Sequence, residues 1–170
     1  IIQKLFLIPR ETIINCKKCF MESYQFNYVK YIVIKNAQQE FINKKLFFPT
    51  IEPIKRGNLC CFCNGKETEY SIEKRNLDYP KWVIVIIDPS QINFFNLGLN
   101  TFVTNGSTIY YLLSHFIEAN TNLLYWINHI DKFACHKIDK NIIEEKEKIL
   151  EKKPLVLFYN LMTYNHVMSL

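Results

Sequence analysis

Two cysteine pairs constrain this chain more than any other feature. Cys16-Lys17-Lys18-Cys19 and Cys60-Cys61-Phe62-Cys63 both have the Cys-x-x-Cys spacing, which lets two thiolates from one tight turn grip a single tetrahedral metal ion. Two such turns make a closed four-sulfur site, and four protein ligands leave no position open for catalysis. The pattern therefore reads as a structural Zn2+ held by Cys16, Cys19, Cys60 and Cys63. Forty residues lie between Cys19 and Cys60. That is more than a compact zinc finger needs, so the metal is expected to clip together two distant hairpins. Cys61 offers a competing thiol in the second turn, but Cys60 with Cys63 keeps the two-residue gap.

Six cysteines could instead form a disulfide framework in a small secreted protein. Against that, the segment from Ile1 to Ile8 is too short and too charged to resemble a signal peptide. Paired Cys-x-x-Cys turns in a chain of 170 residues read as metal ligands in a reducing compartment. The longest apolar run, Trp82 to Ile87, is far short of a membrane span. The expected location is cytoplasmic, with the nucleus as a second choice, and no membrane partner is expected. The chain begins at Ile1 rather than Met, which reads as a piece of something longer. Twenty-one basic against sixteen acidic residues give a net charge of +5, with the lysines spread out rather than gathered in a patch. That describes a solvated surface more readily than a polyanion site.

Along the chain, Leu5 to Ile14 reads as strand, turn, strand around Pro9, and Tyr24 to Ile34 as one strand. Ala37 to Leu46 has helix formers and an apolar i, i+4 pair in Ile42 and Leu46. Pro49 and Pro53 are expected to break regular structure. Asn64-Gly65 marks a turn after the second cysteine pair, and Glu67 to Arg75 reads as an exposed strand. Trp82 to Ile87, uninterrupted and β-branched, reads as a central strand buried on both faces. Asn105-Gly106 predicts a hairpin, with strands following at Ile109 to Phe116, Leu123 to Ile130 and Phe133 to Ile138. Asp139 can cap a helix from Lys140 to Lys152, whose apolar face pairs Ile142 and Ile143 with Ile149 and Leu150. Pro154 stops it, and Leu155 to Tyr159 forms a last buried strand. The class is α+β, rich in strands.

This order resembles the C-terminal half of a ubiquitin-specific protease domain. The counterparts are Cys16/Cys19, Cys60/Cys63, Pro80 with Trp82 to Ile87, Tyr110-Tyr111-Leu112-Leu113, the strands from Leu123 and Phe133, and Leu157-Phe158-Tyr159. Trp126 departs from the pattern by sitting one strand early. The resemblance implies a papain-like fold, with zinc-ribbon fingers over residues 1–80, palm over 81–170 and the thumb missing. It does not carry an active site. The family's nucleophilic cysteine precedes the first zinc turn, where fifteen residues here hold no cysteine. The family's Gly-His-Tyr strand falls on Leu123-Leu124-Tyr125, so leucine stands where the general base would be. Leucine can neither take a proton nor activate a thiol. Asp139 lies near the place of the orienting residue and, without a histidine, reads as a helix cap. More narrowly, Ile72-Glu73-Lys74-Arg75-Asn76-Leu77-Asp78-Tyr79-Pro80 resembles a segment of the inactive ubiquitin-protease-like domain in the nuclease subunit of the poly(A)-specific deadenylase complex.

No catalytic residues are therefore expected. Cys135 reads as a core residue, and a Cys135/His136 dyad is disfavoured because strand neighbours point to opposite faces. His129 is the remaining candidate for a displaced base; His115 and His166 give no signal. Glu144-Glu145-Lys146-Glu147-Lys148 reads as a solvated helix face, and four glycines allow no phosphate-binding loop. Tyr110, Tyr111, Tyr125 and Trp126 are better core or interface residues than base-stacking platforms. The leading expectation is a non-catalytic scaffold with protein partners in an mRNA deadenylation complex. Ubiquitin, and RNA through the complex, are secondary partners. The alternatives are the distal half of an active cysteine-type deubiquitinase and a zinc-ribbon RNA-binding module.

Overall fold

A computed structural model describes residues 5–39, 41–63, 67–128, 134–137, 143–144 and 146–162. Its N-terminal part comprises β1 (Ile8–Cys16), β2 (Glu22–Val29), β3 (Ile32–Ile34), α1 (Ile42–Phe47), β4 (Thr50–Gly57) and β5 (Thr68–Asn76). Then follow β6 (Trp82–Ile87), β7 (Phe102–Thr104), β8 (Tyr110–Glu118), β9 (Leu124–Asn128), β10 (Ala134–Lys137), β11 (Ile143–Glu144), α2 (Lys146–Leu150) and β12 (Pro154–Met162). Two sheets result. One has four strands in the order β2-β1-β5-β4. The other has eight, in the order β11-β10-β9-β8-β12-β6-β3 with β7 paired to β8. The α+β reading holds, with strands dominant.

Several local expectations change for physical reasons. Pro9 does not interrupt β1, which runs unbroken beside β2 from Ile8 to Asn15. Lys17 donates to Glu69 O of β5 and Leu77 to Pro9 O, so Pro9 turns its backbone toward β5. There β5 ends at Asn76, so the missing N–H costs only the last bond of the ladder, opposite Leu77. Pro53 is likewise tolerated, because β4 is an edge strand whose register slips between Glu52 and Lys55. The Tyr24–Ile34 stretch is two strands: β2 belongs to the first sheet, while β3 pairs in parallel with β6 in the second. The first helix is shorter than expected, starting at Ile42 after an extended Phe41 that offers no side-chain cap. Its Ile42 and Leu46 are both buried, as the i, i+4 pair required.

In β6 the burial alternates: Val83, Val85 and Ile87 are buried while Trp82, Ile84 and Ile86 are half-buried. β6 is also penultimate in its sheet; β12, flanked by β6 and β8, takes the inner place. The expected helix from Lys140 is replaced at Ile143–Glu144 by a short pairing with β10, and α2 covers Lys146–Leu150 with Ile149 buried. Asn64-Gly65, His129, Asp139 and His166 lie outside the described residues. The Asn105-Gly106 turn forms as predicted. Gly106 has φ +84, and Asn105 Oδ1 accepts from the N–H groups of Ser107, Thr108 and Ile109.

The core gathers on the eight-stranded sheet around Ile34, Val85, Leu113, Phe116 and Leu157. Two of its buried tyrosines satisfy their hydroxyls on backbone, Tyr111 donating to Pro80 O and Tyr159 to Asn100 O. A buried hydroxyl left unpaired would cost about 1–3 kcal/mol. Asn76, at the end of β5, joins the four-stranded sheet to the helix. Its Nδ2 donates to Leu46 O at 2.7 Å, and its Oδ1 accepts from Arg10 Nε at 2.9 Å. Asn76→Ala strands both partners and should lower unfolding stability by about 1–3 kcal/mol in urea titrations; no change in midpoint would contradict the joint.

Glu52 accepts from Lys55 Nζ at 2.5 Å and from Lys74 Nζ, the two lysines holding its carboxyl down from 4.5 to about 2. A depressed carboxylate stabilises the fold above its ordinary range, and that contribution disappears as pH falls toward 2. Glu52→Gln should therefore lose less stability than the parent between pH 4.5 and 2, measured as the difference between paired acid melts.

Candidate metal centre

The metal turns are built by two hairpins of one sheet. Cys16 closes β1 and Cys19 lies in the turn to β2; Cys60 and Cys63 lie in the connection from β4 to β5. In the first turn Phe20 donates to Cys16 O and Cys16 to Met21 O, and Phe20 takes φ +58. A non-glycine residue in the left-handed region marks a tight, over-determined turn. Because β1 and β5 are neighbours, the two turns meet at one end of the sheet. Cys16 sits directly opposite Tyr70 in the β1–β5 register. The expectation that a metal would clip two distant hairpins is matched by this topology.

The four sulfurs of Cys16, Cys19, Cys60 and Cys63 lie within 4.8 Å of one another. Cys16 and Cys63 are 3.6 Å apart, and Cys19 and Cys60 are 3.5 Å apart. A tetrahedron with metal–sulfur bonds near 2.3 Å has sulfur–sulfur edges of about 3.8 Å. The cluster therefore could hold a metal ion. Cys60 is buried within the cluster, while Cys61 is exposed and lies outside it.

The thiols are electrostatically unequal. The backbone N–H of Cys19, with that of Lys18 and the Thr68 hydroxyl, draws Cys16 down to about 6, overcoming the effect of its burial. Burial, together with the other three thiols, pushes Cys63 up to about 12. In Cys19 the N–H of Met21 favours the thiolate, but desolvation and neighbouring sulfurs outweigh it and raise the thiol. A cation at the centre would remove the conflict that keeps Cys63 protonated. Thr68 Oγ1 adds a second sign. Among the described residues it is buried without a hydrogen-bond partner, although it favours the Cys16 thiolate, and a metal-bound thiolate would be the stronger acceptor it lacks. Thr68 was not singled out in the sequence, because nothing in its spacing marks it.

At the position where the resemblance expects the catalytic histidine, β9 carries apolar side chains. Leu124 pairs with Ile117, and Tyr125 is buried and stacked on Phe116 at 4.9 Å. Tyr125 OH reaches Glu118 Oε2 at 3.2 Å. Among described side chains the histidine is His115 on β8. Its Nδ1 shares a 2.7 Å bond with Ser114 Oγ, its ring lies 6.2 Å from that of Trp82, and burial lowers its basicity. It is far in sequence and in sheet order from the four sulfurs.

No protein-family model and no curated protein matches the sequence. Solved structures do match. The Neurospora crassa Pan2 catalytic unit, containing protease and nuclease domains, aligns over 94% of this chain and 34% of its own, with TM-score 0.68 and 13% identity. The fold is that of a ubiquitin-hydrolase-like domain. The SAGA DUB module containing Ubp8, bound to monoubiquitin, aligns over 94% of this chain and 41% of its own, with TM-score 0.67 and 12% identity. The Saccharomyces cerevisiae PAN2 pseudoubiquitin-hydrolase aligns over 93% and 57%, with TM-score 0.59 and 13% identity. The chain thus spans between a third and somewhat more than half of these neighbours. Identities this low establish the fold of the ubiquitin-hydrolase-like domain and nothing finer.

Elemental analysis of the purified chain should find one metal ion per molecule. Cys16→Ser, Cys19→Ser, Cys60→Ser and Cys63→Ser should each lose it, while Cys61→Ser keeps it. Binding must expel thiol protons, so affinity should fall as pH falls; metal retained after acidification or in Cys63→Ser would contradict the four-thiol site.

Proposed function

We propose that this chain is a non-catalytic ubiquitin-hydrolase-like scaffold domain, held by a structural zinc ion, in a multisubunit complex of the mRNA deadenylation type. The observation that carries the reading is Leu123-Leu124-Tyr125 at the place of the general base, with Tyr125 packed into the core. A thiol nucleophile needs an adjacent imidazole, and Leu124 beside a stacked Tyr125 provides none. Zinc is the natural ion for four thiolates at tetrahedral spacing, since it has no redox chemistry and no demanding ligand field.

The deadenylase assignment rests on likeness to the Pan2 pseudoubiquitin-hydrolase structures and on the Ile72 to Pro80 segment. That segment has a structural role here: Arg75 pairs with the buried Glu11 across β1–β5, and Asn76 caps α1. Within the proposal the division into fingers over 1–80 and palm over 81–170, and a cytoplasmic or nuclear location, follow from the same likeness. Partners are proteins of the complex; ubiquitin and RNA would be met through it.

The test is a ubiquitin-vinyl-sulfone and fluorogenic-ubiquitin assay on the full-length parent protein, beside its copurifying subunits. The reading expects no adduct and no turnover above a heat-killed control. Turnover would instead favour the distal half of an active deubiquitinase.

A further inference from the structure

Strand edges are templates for pairing, and most sheets blunt them. Three of the described edges here are blunted. β4 carries Pro53 and a register slip. β3 is three residues long, with Lys45 Nζ on Val33 O at 2.8 Å. β11 has two residues. β2 is different. It runs for eight residues, Glu22–Val29, with no proline, glycine, lysine or slip, and among the described residues it pairs on one side alone.

The phase of its free side is readable. Cys16 donates to Met21 O and Lys17 to Glu69 O, so the even-numbered positions of β1 near this end address β2 and the odd-numbered ones β5. In the antiparallel register the odd positions of β2 then bond to β1, while Glu22, Tyr24, Phe26 and Tyr28 turn N–H and C=O outward. The same residues share one face, on which Tyr24 is 50% exposed, Phe26 68% and Tyr28 58%.

We propose that β2 pairs antiparallel with β2 of a second copy of this chain, about a two-fold axis through Phe26. A two-fold axis normal to the sheet maps each face onto itself, so even positions must oppose even positions. Centred on Phe26, the pairing sets Tyr24 against Tyr28 of the second copy and brings Glu22 to Lys30, exposed at the bend just after β2. Each opposed pair exchanges two backbone bonds, and the aromatic rings form a continuous ladder. Centring on Gln25 would set Glu22 against Tyr28, and centring on Asn27 would set Tyr24 against Lys30. Charge complementarity therefore selects Phe26. Tyr24 OH also donates to Glu22, holding the carboxylate on this face. The result is one sheet running across two molecules.

Light scattering after gel filtration across the micromolar range tests this. The chain should run at twice 20.3 kDa. Phe26→Pro removes an outward N–H that β1 does not use, and should run as a monomer with the parent's far-ultraviolet dichroism. Glu22→Lys should weaken association about tenfold through two symmetric like-charge contacts, and Glu22→Lys with Lys30→Glu should restore it. That rescue does not depend on how the proline variant folds. A monomeric parent, leaving the edge to some other strand, would overturn the proposal. So would a dimer that survives Phe26→Pro, or a double reversal that fails to restore association.

Discussion

The four sulfurs are the constraint on which the first sheet depends. Without an ion, Cys16, Cys19, Cys60 and Cys63 crowd four polarisable groups within 4.8 Å, and their thiols pull in opposite directions, Cys16 down and Cys63 up. With one, the turns at the ends of β1 and β4 become a single knot. Everything along the sheet is spaced from it: Cys16 fixes the register of β1 on β5, and the register carries Arg75 onto Glu11 and Asn76 onto Arg10. Structural zinc in small peptides contributes on the order of 10–16 kcal/mol. That exceeds the net stability of most domains, so an ion bound there would organise the sheet from its sulfur end before its packing.

The other end of that sheet passes its alignment to the rest of the chain through polar contacts. Asn76 holds the last carbonyls of α1, whose Ile42 and Leu46 enter the core of the eight-stranded sheet. β3 leaves β2 at Lys30 and Tyr31 to pair with β6, so the two sheets do not divide the chain at a single point. A fold of this kind keeps its architecture whether or not a catalytic site is attached. Here β9 supplies Tyr125 to an aromatic stack with Phe116.

Much of this was legible in the sequence because the signals were local. Cysteine spacing identified all four members of the sulfur cluster, and Asn105-Gly106 identified its hairpin. The Ile42/Leu46 pair identified the buried face of α1. What failed needed knowledge of neighbours. Pro9 and Pro53 read as breakers, since a sequence does not say that β5 ends opposite one or that the other sits on an edge. Tyr24 to Ile34 reads as one strand because composition is blind to a change of sheet. The alternating burial of β6 was hidden by a run apolar at every position. Thr68 and the Ser114–His115 bond are products of register and could not be found by spacing.

X-ray absorption at the zinc edge of the purified, metal-loaded chain tests the central claim most directly. The account predicts a first shell of four sulfurs at about 2.3 Å and no nitrogen or oxygen. A shell containing nitrogen or oxygen, or a folded chain that carries no metal, would contradict it.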